Sequence, residues 1–241
     1  DVKFVVFELL EADKLVKYPK YADFDHETFN AAIDLAEQIS VNIIYPTAEE
    51  GDKIGAIWDP VTKEVKIPEC FHRAIDAYYH AGFMGLFDDP EVGGSGMPYL
   101  VSMAGAEFIM SANFPAFMYP GLSHGCMELI MEYGTPELKK LYVEKMMSGK
   151  WGGTMCLTEP DAGSDVGALK TKAVKQPDGT YKITGQKIFI SSGDNDYYEN
   201  MIHPVLARIE GDPKGTEGIS IFIVPKYRLD ANGEKGEFND V

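Results

Sequence analysis

Residues 151–193 read WGGTMCLTEPDAGSDVGALKTKAVKQPDGTYKITGQKIFISSG. Within them lies a compact polar segment, TEPDAGSD, in which Thr158, Glu159, Asp161, Gly163, Ser164 and Asp165 surround Pro160. Two later runs, Tyr181–Thr184 and Lys187–Ser191, alternate apolar and polar residues with the period of half-buried strands. Asp178-Gly179 signals a hairpin, because both residues tolerate the positive φ of a tight turn. The stretch therefore predicts a strand, a polar loop and then a β-hairpin or meander. The loop offers backbone N–H groups, small residues and hydroxyls, which suit a phosphate or the polar edge of a flat cofactor. The residues alone leave an ordinary turn as an equal reading. No Gly-x-Ser-x-Gly elbow surrounds Ser164, and the chain has no GxxxxGK[ST] loop, so neither a hydrolase nucleophile nor that phosphate loop is indicated.

Outward from this stretch, the chain of 241 residues is long enough for one large or two ordinary domains. Its 45% hydrophobic and 25% charged residues mark a soluble, globular chain. Asp and Glu number 38 against 22 Lys and Arg, a net charge of −16 that argues against a nucleic-acid partner. The three cysteines, Cys70, Cys126 and Cys156, form neither a CxxC pair nor a disulfide framework, so a reducing cytoplasm is expected. No secretory signal and no membrane-spanning run is seen, and the start at Asp1 suggests that a few residues precede it.

Before Trp151 the pattern is helical. A short helix is expected in Val2–Ala12, then one capped by Asp25 that runs from Phe29 to Ile43 and ends at Tyr45-Pro46. Residues 47–67 read as a loop with a small hairpin, and Pro68 opens a helix reaching Phe83. The glycines of 88–98 (DDPEVGGSGMP) lack dinucleotide-fingerprint spacing and predict a loop. A buried helix is expected over Tyr99–Asn113, a second over Leu122–Tyr133 closed by Gly134, and a third opened by Thr135-Pro136-Glu137. After Gly193, Pro204–Arg208 and Gly218–Pro225 read as strands. The expectation is an α+β chain: an α-helical bundle domain over 1–150, then an antiparallel β-barrel or sandwich over 151–241.

MCLTEPDAGSD followed by KITGQKIFISSG resembles the flavin-binding signature of the acyl-CoA dehydrogenase family, two motifs in the right order and spacing. The continuation ENMIHPVLARIEGDPKGTEGISIFIVPK is similar to a subgroup of larger members, among them 3-methylmercaptopropionyl-CoA and broad-chain-length acyl-CoA dehydrogenases. The resemblance implies FAD as cofactor, with Met155, Cys156, Leu157 and Thr158 on one side of the ring. It also implies that Gly163 and Ser164 lie at the pyrophosphate, that Ser164 contacts substrate, and that Phe189, Ile190 and Ser191 pack on and bond the ring. An aromatic residue often stands in the family where this chain has Met155.

The implied reaction is α,β-dehydrogenation of an acyl-CoA to the trans-2-enoyl-CoA, with electrons passed to an electron-transferring flavoprotein. An acyl-CoA oxidase, or a non-catalytic flavin or acyl-CoA binding module, is the alternative. The family's catalytic glutamate sits in a C-terminal helical domain that does not follow here, so no catalytic residue is assigned, Glu159 included. Full-length members pair as homodimers or homotetramers, and membrane insertion is not implied. The histidines His26, His72, His80, His124 and His203 show no metal-ligand spacing, so no metal site is expected.

Overall fold

The computed structural model describes residues 1–241, and the chain changes character where the sequence period does. Six helices come first: α1 (His26–Ile39), α2 (Ala48–Ile54), α3 (Glu69–His80), α4 (Tyr99–Ala112), α5 (Phe114–Tyr133) and α6 (Pro136–Met147). A small hairpin of β1 (Ile57–Trp58) and β2 (Val65–Lys66) lies between α2 and α3, as expected. From Trp151 onward strands β3 to β9 take over. No helix is long and apolar enough to cross a membrane.

Side-chain caps open three of the six helices, α1, α5 and α6. Asp25 accepts from the Thr28 N–H at 2.8 Å to open α1, whose Phe29, Ile33 and Ala36 are wholly buried. Thr135 accepts from the Leu138 N–H at 3.4 Å ahead of α6. Gly134 ends α5 in an extended conformation, and a side chain there would strike the Ile130 carbonyl.

The short helix expected in Val2–Ala12 is present as a π-helix, Phe4–Leu9, and the chain turns where Glu11 takes a φ of 50°. Four other expectations need correction. The helix expected to reach Ile43 widens into another π-type turn, Ser40–Ile44, and α2 then forms inside the expected loop. Gly51 hides α2 from a propensity reading, but it is glycine because the Phe71 ring lies against it. α3 stops at His80, since Gly82 turns left-handed at φ 75°. Most consequential, α5 begins at Phe114 rather than Leu122. Asn113 caps it, accepting from the Ala116 N–H at 3.0 Å, and Pro120 is buried inside it. A mid-helix proline normally breaks a helix, but packing on α3, α6 and β3 holds this one together.

β6 (Asn200–Ile209) is the central strand of the main sheet. β7 (Ile219–Pro225) pairs antiparallel along one edge. The other edge is shared. β3 (Trp151–Gly153) runs parallel to Asn200–Ile202, and β4 (Lys172–Lys175) runs parallel to Arg208 and Ile209. β5 (Tyr181–Thr184) is antiparallel to β4, and β8 (Tyr227–Leu229) with β9 (Lys235–Phe238) makes a separate hairpin. The β-rich second half is therefore as expected, but its main sheet is open and mixed, not an antiparallel barrel or sandwich. The cause is that the chain leaves the β6 edge after Cys156 and returns to it at Thr171 in the same direction.

The Asp178-Gly179 hairpin is present with a longer loop than a two-residue turn. The Gln176 N–H donates to the Thr180 carbonyl at 2.8 Å, and Gly179 alone takes a positive φ, 87°. Asp178 instead uses its carboxylate, accepting from the Thr180 N–H at 2.9 Å. Lys187–Ser191 is not a strand, because Phe189 and Ser192 sit at φ 59° and 54°, which breaks the pleat. The two halves share one apolar cluster that runs from Phe29 and Met127 through Met146 to Trp151 and Ile202.

Candidate functional site

Strand segment 151–156 lies along β6: the Thr154 N–H donates to the Ile202 carbonyl at 3.0 Å and the Cys156 N–H to that of Pro204 at 2.8 Å. Pleating then sorts the side chains. Thr154 and Cys156 point inward and meet at 3.4 Å, while Met155 faces out, 41% exposed. After Cys156 the chain swings away from the sheet as the polar loop and rejoins at Thr171, whose carbonyl accepts from the Arg208 N–H at 3.0 Å.

Glu159 closes this excursion at its base. Its carboxylate, 5% exposed, accepts from the Lys170 N–H (2.6 Å), the Thr171 N–H (3.1 Å) and the Thr171 hydroxyl (2.5 Å), and it pairs with Lys187 at 2.8 Å. Burial alone would raise the Glu159 carboxyl, but these donors outweigh it and pull its pKa down to about 2. A carboxylate so fully engaged is an anchor and cannot serve as a base. Lys187 also donates to the Leu157 carbonyl at 3.0 Å, and the Ile188 N–H donates to the Thr158 carbonyl at 2.9 Å. One buried ion pair thus ties together the two motifs that the sequence singled out. Farther along the loop, Arg208 donates to the carbonyls of Gly167 (3.0 Å), Gly215 (2.9 Å) and Pro213.

With both ends fixed, the loop tip stands free. Gly163 and Ser164 are exposed, and a Cβ added at Gly163 would meet nothing within 4 Å. Internal packing therefore does not require a glycine there. On the adjoining segment Phe189 is 87% exposed and held at φ 59°, a left-handed conformation that costs a phenylalanine about 1–2 kcal/mol. An apolar ring kept exposed in a strained conformation is typical of a surface that meets a ligand. Thr158 and Ile190 are half-buried and Ser191 is exposed.

The structure gathers Met155, Leu157, Thr158, Phe189, Ile190 and Ser191 onto the two joined segments. Cys156 is the exception. Its thiol is turned inward, burial pushes its pKa up, and its N–H and carbonyl are both spent in the sheet. His203, which contacts Thr154 Oγ1 at 2.8 Å, is driven by burial to a pKa of about 4 and is neutral near pH 7. Of these anchors the sequence reading singled out only Glu159, as a loop residue and not as an anchor; the roles of Lys187, Thr171 and Arg208 were missed. Their one signal was a lone lysine inside an apolar run and a lone glutamate inside the loop. Phe189→Gly should leave stability unchanged or raise it by up to about 1 kcal/mol, since relief of strain outweighs glycine's entropy cost. A urea midpoint well below that of the parent would show instead that the ring packs internally.

Two family models match the chain in tandem: the acyl-CoA dehydrogenase N-terminal domain over residues 47–150 and the middle domain over 154–235. The chain belongs to the acyl-CoA dehydrogenase family. It is 43% identical to a broad-specificity linear acyl-CoA dehydrogenase of Mycobacterium tuberculosis, over 100% of this chain and 39% of that protein. To 3-methylmercaptopropionyl-CoA dehydrogenase of Ruegeria pomeroyi it is 34% identical, over 99% of this chain and 40% of the relative. It thus spans about two fifths of the length of these acyl-CoA dehydrogenases. Butyryl-CoA dehydrogenase from Megasphaera elsdenii superposes with a TM-score of 0.66 at 26% identity, over 84% of this chain and 49% of that one. An acyl-CoA dehydrogenase complexed with FAD from Bacillus anthracis superposes at 0.64 and 27% identity, over 85% and 31% of the two chains. Within this family the polar loop and the 185–193 segment are where the sequence resemblance puts the flavin.

Proposed function

We propose that this chain forms the flavin-facing part of an FAD-dependent acyl-CoA dehydrogenase, with residues 1–150 as its helical domain and 151–241 holding one side of the cofactor. The enzyme oxidises a saturated acyl-CoA to the trans-2-enoyl-CoA and passes electrons to an electron-transferring flavoprotein. The observation that carries this reading is that exposed, strained Phe189 and exposed Met155 stand on two segments that the buried Glu159–Lys187 pair ties together. Rigid support behind an exposed apolar-and-polar face is what a flat, preorganised ligand site needs.

FAD, when bound, supplies the hydride acceptor that no side chain provides. The chain's own residues hold and shield it. Met155, Leu157, Phe189 and Ile190 would offer apolar surface to the ring, and the hydroxyls of Thr158 and Ser191 would hydrogen-bond its polar edge. The free backbone at Gly163 and Ser164 would hold the pyrophosphate, and the Ser164 hydroxyl would contact the substrate. Cys156 acts by fixing the strand that presents Met155 and Thr158. The base that removes the α-proton lies outside this chain. The whole enzyme is a cytoplasmic homodimer or homotetramer.

The test is flavin retention. FAD released by heat from the purified protein is identified by chromatography, and its dissociation is then measured in Thr158→Val. Loss of one hydrogen bond, net about 1 kcal/mol, should weaken FAD about fivefold with the unfolding midpoint unchanged. Unaltered FAD affinity in that variant would remove Thr158 from the site.

A further inference from the structure

The loop that carries Gly163 and Ser164 is held on both sides of its tip, by different means. On the near side Glu159 and Ala162 exchange backbone hydrogen bonds of 3.0 and 3.2 Å. Past Ala162, the first hydrogen bond that reaches the loop from outside comes from Arg208. This residue stands near the end of β6, and its own N–H donates to the Thr171 carbonyl, so its side chain starts where the loop rejoins the sheet. The guanidinium then forks. Nη2 donates to the Gly167 carbonyl at 3.0 Å, and Nη1 donates to the carbonyls of Gly215 (2.9 Å) and Pro213.

The fork therefore joins two segments far apart in the chain: the 3-10 turn Val166–Ala168 just past the loop tip, and the connection between β6 and β7. Glycines let the two meet. A Cβ on Gly167 would stand 3.2 Å from Gly215 Cα, and Gly215 itself sits at φ 83°. A planar guanidinium reaches both segments at once, whereas a lysine ammonium is a single point. With this staple in place, only Gly163–Val166 spans the gap between the two holds. Without it, the turn keeps only its internal hydrogen bonds, from the Ala168 N–H to Asp165 and from the Leu169 N–H to Val166. The next outside hold is then the Lys170 N–H on Glu159.

We propose that Arg208 is a positioning residue for the cofactor's pyrophosphate, an inference that rests on the flavin reading above. By stapling Gly167 to the connection between β6 and β7, it holds the Gly163–Val166 backbone ready for the pyrophosphate before FAD arrives. A loop freed from this hold must be ordered again on binding, and that ordering weakens the ligand. The ring-facing segments are joined separately, through Glu159 and Lys187. Loss of Arg208 therefore costs affinity at the pyrophosphate end and leaves the surroundings of the ring as they were.

The whole enzyme, including the base-bearing remainder, is stripped of flavin and titrated with FAD. Arg208→Met and Arg208→Lys should each weaken FAD about tenfold, the lysine failing because it keeps the charge but not the fork. At saturating FAD the visible flavin bands of both variants should match those of the parent. Hydrogen exchange of the flavin-free protein, read by mass spectrometry, should quicken within residues 163–168 and stay unchanged within 187–193. Equal FAD affinity in Arg208→Met, or parent affinity in Arg208→Lys, would overturn the inference while leaving the flavin reading intact. Displaced flavin bands, or exchange that quickens throughout the chain, would overturn it as well, since the effect would then not be confined to the loop tip. A parent enzyme that binds no FAD would overturn the flavin reading itself, and this inference with it.

Discussion

Glu159→Ala should lower the unfolding free energy by about 4 kcal/mol. The change leaves Lys187 buried, 10% exposed, with the Leu157 carbonyl as its remaining partner, and it strands the Lys170 and Thr171 N–H groups. Removing one partner of a buried, hydrogen-bonded ion pair typically costs about 3–5 kcal/mol. Replacing both partners, as in Glu159→Leu with Lys187→Met, should recover part of that loss, which a double-mutant cycle would measure as coupling. The pair also has a pH signature. Glu159 titrates at about 2 in the folded chain against an ordinary value of 4.5, so the unfolded state takes up protons first as pH falls. The stability from this group is fully present above about 4.5 and is lost as pH drops toward 2, amounting to about 3 kcal/mol. Guanidinium unfolding of the parent and of Glu159→Gln at stepped pH checks it. The gap between them should shrink across that window, and a gap independent of pH would show that Glu159 is not ionised in the fold.

Gly153→Val should cost about 3 kcal/mol for a different reason, crowding at the seam between the helices and the sheet. A Cβ on Gly153 would stand 2.5 Å from Cys126 Cβ, 2.8 Å from its sulfur and 2.8 Å from the Met146 methyl. Overpacking a filled interior costs about 1–3 kcal/mol, and valine on this crowded strand falls at the upper end. Gly153 is not in the left-handed region, so the need for glycine here is one of space. Cys126→Ala in the same chain should therefore restore part of the loss. Thermal unfolding of the single and double variants tests this, and a double variant no more stable than the single one would place the strain elsewhere.

How far the sequence revealed the fold follows from which interactions were local. Asp25, Thr135-Pro136 and Asp178-Gly179 act within a few residues of themselves, and the elements they mark are where the pattern put them. Pro120 misled because what keeps α5 intact around it is packing on α3, α6 and β3, which no local pattern records. The same holds for the sheet. The alternation of Trp151–Cys156 shows a strand, but its parallel run along β6 depends on partners some fifty residues away. In the candidate site, Met155, Thr158 and Phe189 were legible through the family resemblance. The reason Phe189 breaks the expected strand was not, since its left-handed φ leaves no trace in an apolar run. Nor was the Glu159–Lys187 pair, whose members are 28 residues apart and become partners only when the loop folds back.

The most direct test of the central claim is a visible absorption spectrum of the purified protein, followed by anaerobic addition of a mid-chain acyl-CoA. A flavin spectrum that bleaches on addition is the predicted result when the base-bearing remainder of the enzyme is present. A protein that contains that remainder and carries no flavin, or whose flavin stays oxidised across a series of acyl-CoA chain lengths, would contradict the assignment of this chain to an acyl-CoA dehydrogenase active site.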